Sequence, residues 1–191
     1  MDSPKHKSDE EIAAQVQAGD ADAFGRLVER YEEKMLRYGR RFLSDADDVK
    51  DLVQDVFLKA YTNILSFDIS RKFSPWLYRI AHNEFVNALR KKSGREIFSI
   101  FDFDVLFPHL VSDESTESAA SRRELRNMLD HYLNRIDSKY REPLILYYFE
   151  DMDYKEISDV LRIPASTVGV RLRRGKEILQ KKMKNNQVVN E

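Results

Sequence analysis

Cysteine is absent from the 191 residues, which excludes disulfides and thiolate metal sites and fits a reducing compartment. No apolar run is long enough to cross a bilayer and no signal peptide opens the chain, so a cytoplasmic protein with no membrane insertion is expected. The histidines His6, His82, His109 and His131 stand at no metal-ligand spacing, and the chain has neither a glycine-rich phosphate loop nor a nucleophile motif. No catalytic residue, metal site or cofactor is therefore expected. An excess of one charge is also missing: 32 Lys and Arg face 33 Asp and Glu, for a net charge of -1. The overall balance thus says nothing about a polyanionic partner.

The distribution of charge says more. Residues 162–184 hold eight basic side chains, Arg162, Arg171, Arg173, Arg174, Lys176, Lys181, Lys182 and Lys184, against the single acid Glu177. Residues 93–122 instead hold six acids against Arg95 and Arg122. An acidic connector therefore separates a near-neutral front half from a back half with a basic end. Three segments follow: a first domain over 21–92, a linker over 93–122 and a second domain over 123–183. The chain is long enough for two small cores.

The most informative stretch, residues 48–92, reads as two amphipathic helices joined by a short turn. In the first, Val49, Leu52, Val53, Val56, Phe57, Ala60, Tyr61 and Ile64 recur at the three-and-four spacing of one helical stripe. The opposite side carries Asp48, Lys50, Asp51, Gln54, Asp55 and Lys59, dense enough in carboxylates to dock a basic partner. An ordinary solvated face has the same composition. In the second, Ser74 is placed to cap the N-terminus, with Pro75 at the first helical position, where a missing N–H is no loss. Lys91, Lys92 and Gly94 give a stop signal. Phe73, Trp76, Leu77, Ile80, Ala81, Phe85, Ala88 and Leu89 form its apolar stripe, while Arg79, Asn83, Asn87 and Arg90 share another face. Arginine neutralises phosphate or reads guanine, and asparagine pairs two ways with a base edge. The residues between these helices, 65–72, form a loop with Phe67, Asp68 and Arg71; a loop held between rigid helices suits an extruded base, and equally suits a mere connection.

Ahead of this stretch, residues up to about Ser8 are polar and expected to fray. A short helix from Asp9 shows Ile12 and Val16 as an apolar edge, Gly19-Asp20 ends it, and another helix carries Phe24, Leu27, Val28, Tyr31, Met35 and Phe42 along its stripe. With no strand-like alternation, residues 21–92 should be a bundle of about three or four helices. Within the linker, IFSIFDFDVLFPHLV (97–111) is rich in Phe and Ile and is expected to pack in cis rather than stay exposed.

The back half is helical again. Leu125, Met128, Leu129, Tyr132, Leu133 and Ile136 give one stripe, and Leu144, Ile145, Tyr148 and Phe149 the next. Asp153 with Glu156 makes a capping box before a short helix over 154–161, with Ile157, Val160 and Leu161 inward. Arg162-Ile163-Pro164 turns the chain into a basic helix from about Ala165, with Val168, Leu172 and Leu179 inward. This is the layout of a helix-turn-helix, whose second helix enters the major groove. Thr167, Arg171, Arg173 and Arg174 are then the DNA contacts, with Lys176, Lys181 and Lys182 nearer phosphates. The fold class is all-α: two small helical domains, a bundle and a helix-turn-helix domain, on a flexible acidic linker.

Taken together, three motifs in order resemble the extracytoplasmic-function (ECF) group of bacterial RNA polymerase sigma factors. DLVQDVFLKAY (51–61) is similar to the polymerase-docking helix, FSPWLYRIAHNEFVNALRKK (73–92) to the promoter-melting and downstream-box helix, and residues 140–179 to the fourth sigma domain. The resemblance covers roughly residues 23–182. It implies a transcription initiation factor, acting in a stress or envelope response, that binds core RNA polymerase and directs it to specific promoter DNA. Asp51, Gln54 and Asp55 would meet the clamp helices of the largest subunit, and the apolar face over 144–149 would help grip the flap of the second-largest. Asn83 and Asn87 would read the downstream box, its flipped base held near the 65–72 loop. Thr167, Arg171, Arg173 and Arg174 would contact the upstream box. An anti-sigma factor is the implied inhibitor.

Two features depart from the family pattern. Gly169 and Val170 stand where a basic residue and a serine are frequent at the start of the reading helix, and the family pattern does not explain the Phe-rich linker. A plain helix-turn-helix regulator also accounts for residues 154–182, but it leaves the carboxylate face of 48–59 and the Arg79 to Arg90 face idle. An interaction protein that merely keeps the scaffold is the third reading.

Overall fold

The computed structural model describes residues 7–93 and 136–187, and every regular element among them is helical. The chain divides into two units, Met1–Ile97 and Phe98–Glu191. The 93–122 linker beyond Ser93, its Phe-rich 97–111 part and the stripe from Leu125 to Leu133 lie outside the described residues.

In the front unit four helices and one 3-10 turn pack together: α1 (Asp9–Gln17), α2 (Ala23–Gly39), α3 (Ala46–Thr62), the turn Ile64–Ser66, and α4 (Phe73–Ser93). Ser8 is ordered as the N-cap of α1, in a reciprocal capping box with Glu11, and Asp9, Glu10 and Glu11 complement the helix dipole. The helix is part of the bundle: Ile12, Ala13 and Val16 are buried, and Asp9 accepts hydrogen bonds from Arg30 and the Tyr31 hydroxyl of α2.

Helix α2 stops at Gly39, so Phe42 lies beyond it, although its ring is buried as the stripe requires. Val28 is half-buried, and the inward stripe continues through Tyr38 instead. Gly39 is where three helices meet. A methyl group there would stand 2.9 Å from Val49 Cγ1 and 3.0 Å from Phe85 Cζ, so the missing side chain sets how closely α2, α3 and α4 approach. Helix α3 begins two residues ahead of Asp48, with Asp45 as N-cap accepting from the amides of Asp47 and Asp48.

The start of α4 differs from the Ser74 cap read in the sequence. The helix begins at Phe73, and its N–H is bound from outside the segment, by Glu10 Oε1 of α1 at 2.9 Å. Pro75 then falls in the first turn but not at its first position, still where an amide hydrogen would have no helical partner. Local sequence carries no trace of a cap that arrives from 63 residues away.

The back unit contains α5 (Ser138–Tyr148), α6 (Tyr154–Leu161) and α7 (Ala165–Gln187). The Asp153–Glu156 capping box forms as expected. Arg162 closes α6 with φ 55°, a left-handed conformation that glycine adopts more readily, and the Ser158 hydroxyl donates to Ile163 O at 2.6 Å across the turn. The core comprises Ile136, Leu144, Ile145, Leu146, Tyr148, Met152, Ile157, Val160, Val168, Leu172 and Leu179. Gly175 lets α7 lie against α5, since a Cβ there would come within 2.8 Å of Leu144 Cδ1.

Candidate functional site

Val49, Val53, Val56, Phe57 and Ala60 hold α3 in the bundle. The helix turns Asp51, Gln54 and Asp55 outward, all three exposed. Lys59 does not belong with them, because its Nζ meets Glu84 of α4 at 2.5 Å. The outer face is less polar than its carboxylates imply. Leu58 is 63% exposed, Leu65 76% and Tyr61 42%, so an apolar strip continues from the acidic turn. Tyr61, which the helical spacing places on the inward stripe, stands at its edge, with its ring against that of Phe24. The sequence carries a signal for Leu58 that its polar surroundings mask, a leucine standing outside the apolar stripe. Large apolar groups left in water beside charges are typical of a surface that a partner covers.

Helix α4 is seated by Phe73, Leu77, Tyr78, Ala81, Phe85 and Val86. His82 is buried among them, its Nδ1 3.0 Å from the Tyr38 hydroxyl. Burial, with Arg90 adding repulsion, pushes its pKa down to about 4, so the imidazole is neutral at physiological pH. With these faces fixed, Asn83 and Asn87 stand exposed one turn apart, while Arg79 and Arg90 are half-buried on either side. The Arg90 Nε is enclosed, so that side chain shares its role with the bundle.

Between α3 and α4, Phe67 is buried against Phe73 and Trp76. Trp76 itself is half-buried and props the loop from beneath, in keeping with its inward stripe position. Asp68 Oδ1 accepts from the Ser70 amide at 3.0 Å and its hydroxyl at 2.7 Å, which holds the Asp68 carboxyl below its ordinary range. Ile69, Arg71 and Lys72 are exposed around this turn. A shallow apolar and cationic rim of this kind suits an unstacked base and its phosphate.

On α7, Thr167 is half-exposed, and Arg173 and Arg174 are exposed. Arg173 reaches Glu177 only at 4.0 Å on an open surface, an ion pair too weak to sequester it. Arg171 is the exception to the expected contact set: it is 8% exposed. Its position explains this, since 168, 171, 172, 175 and 179 form the stripe that packs inward, and a stripe of that width takes in the arginine. Ser166 and Ala165 are exposed at the start of the same helix. A Cβ at Gly169 would lie 3.4 Å from the Tyr154 ring, so an aromatic side chain covers this position, where the family pattern often has a basic residue. The 144–149 face is mostly internal: Leu144, Ile145 and Tyr148 are buried and Phe149 is half-buried, leaving little of it to grip another subunit. Among the described residues no cluster of His, Asp and Glu could hold a metal ion.

Two helical units, one with an exposed acidic and apolar face and an exposed asparagine pair, the other a helix-turn-helix with a basic second helix, suit a DNA-directed factor with a protein partner. Family comparison identifies it: residues 27–95 match Sigma-70 region 2 and residues 126–179 match Sigma-70, region 4. The chain is 36% identical to the ECF RNA polymerase sigma factor SigW of Bacillus subtilis over 179 residues, 90% of this chain and 94% of that protein. It is 33% identical to the RNA polymerase sigma-H factor of Pseudomonas aeruginosa, over 92% of this chain and 93% of the relative. Among solved structures it is similar to CnrH in complex with the cytosolic domain of CnrY, with TM-score 0.69 and 27% identity over 94% of this chain and 99% of that one. It is also similar to the sigma factor RpoE in complex with the anti-sigma factor NepR from Bartonella quintana, with TM-score 0.61 and 26% identity over 84% and 96% of the two chains. The protein belongs to the ECF sigma factors, transcription initiation factors that direct core RNA polymerase to promoters.

Proposed function

We propose that the exposed α3 face of Asp51, Gln54 and Asp55, extended by Leu58, docks onto the clamp helices of the largest polymerase subunit. Asn83 and Asn87 of α4 read unstacked bases of the downstream promoter box, with Arg79 and Arg90 steadying the adjacent phosphates. On α7, Thr167, Arg173 and Arg174 contact the upstream box, and Arg171 serves the core of that unit. The observation that carries this reading is the exposed asparagine pair on a helix whose other faces are locked into the bundle. Such a pair costs little to present and is oriented before DNA arrives.

Melting asks no bond chemistry of the protein, so the factor works without catalysis and in the cytoplasm, where core polymerase is. It needs a surface that favours the open strand by a few kcal/mol per flipped base. The complexes of CnrH with CnrY and of RpoE with NepR support an anti-sigma factor as the inhibitory partner here. Promoter-library transcription with purified core polymerase tests the reading: transcripts that depend on this protein and share two boxes are expected. Duplex binding without polymerase, or no binding to core, would contradict it.

A further inference from the structure

Glu10 and Gln17 are seven residues apart on α1, about two helical turns or about 10 Å, and so share a face. Both reach across to the segment between α3 and α4. Gln17 Nε2 donates one hydrogen to Ile64 O at 2.7 Å and the other to Phe67 O at 2.8 Å, using both amide hydrogens on the loop's entry. Glu10 Oε1 accepts from the Phe73 N–H at 2.9 Å, where the loop exits into α4. One rigid helix thus holds both ends of the loop that carries Asp68, Ile69, Arg71 and Lys72.

The helix is itself fixed independently of the loop. Asp9 binds Arg30 and Tyr31. Gly19, at φ 103°, closes the C-terminal end, with the Gly19 amide bonded to Val16 O and the Asp20 amide to Gln15 O.

From this geometry we infer that Gln17 and Glu10 are positioning residues for base capture: α1 sets the height and pitch of the loop against α4, so that the rim meets the base read beside Asn83 and Asn87. The inference rests on the functional reading above. The bonds are only partly buried, so water can replace them at small cost in folding, whereas a displacement of about 1 Å spoils a binding surface. Replacing Gln17 by glutamate keeps its size but points oxygen at two carbonyls.

Holoenzyme carrying wild-type, Gln17→Glu, Glu10→Ala or Glu10→Gln protein is titrated with labelled single-stranded DNA. The probe is the tightest member of a random pool selected on wild-type holoenzyme, and its control is a scrambled strand. Gln17→Glu and Glu10→Ala should weaken probe binding about tenfold, equivalent to about 1.4 kcal/mol, with affinity for core polymerase and for the scrambled strand unchanged. Glu10→Gln, which keeps an acceptor oxygen, should bind as wild type does. Unaltered probe affinity in Gln17→Glu and Glu10→Ala overturns the inference, as does an equal loss toward core, which would reveal a folding role alone. If Asn83→Ala with Asn87→Ala leaves probe binding intact, the base-capture reading itself fails and this inference falls with it.

Discussion

His82 ties the state of one side chain to the integrity of the bundle. Its folded pKa of about 4 lies below the ordinary value of about 6.5, so the unfolded chain takes up a proton before the folded one does. The stability it confers is fully present above pH 6.5 and is lost as pH falls toward 4, at up to about 1.4 kcal/mol per pH unit. Chemical denaturation at pH 7.5 and 5 should show a larger loss in wild type than in His82→Gln; equal losses would contradict the assignment. Gly39 makes the opposite kind of demand, for no side chain at all. Gly39→Ala forces Val49 and Phe85 apart and should destabilise by about 1–3 kcal/mol, read as a lower denaturation midpoint, whereas a gain would show that the core yields.

Arg171 shows why single residues were the hardest to read. Its charge and its place after the turn made it resemble its neighbours Arg173 and Arg174, and only the packing of α7 against the rest of its unit separates them. Leu58 is the converse, an apolar residue whose exposure follows from the stripe it falls outside.

At the scale of elements the sequence was far more legible. The short helix from Tyr154 to Leu161, its capping box and the beginning of α7 follow from local signals within a few residues. Both central helices were readable from periodicity, because the stripe that decides burial is written in the segment itself. What could not be read is what one element lends another: Glu10 at the start of α4, Gln17 on the loop, and the membership of α1 in the bundle. These depend on side chains distant in sequence. The inward and outward faces of α7 make a separate prediction. In binding of the holoenzyme to promoter duplex, Arg174→Ala should reduce the slope of log affinity against log salt by about 1, the signature of one lost phosphate contact. Arg171→Met should leave the slope unchanged while lowering thermal stability. The reverse pattern would return Arg171 to the DNA surface.

For the whole molecule, the proposed function divides docking and reading between different surfaces of the two units. In the proposed reading the acidic α3 face would give affinity for a protein, the asparagine row would discriminate bases once strands part, and the basic α7 would supply salt-sensitive attachment upstream. A plain duplex-binding regulator would use only the back unit and would leave Asp51, Gln54, Asp55 and Leu58 without a task.

The most direct test pairs Asn83→Ala with Asn87→Ala in one protein and follows promoter opening by the reconstituted holoenzyme. Both side chains are exposed, so folding should survive. The account predicts wild-type affinity for core polymerase and retained upstream attachment, with open-complex formation reduced at least tenfold, an effect of about 1.4 kcal/mol or more. Opening at the wild-type rate would contradict it and move the reading of the downstream box to another surface.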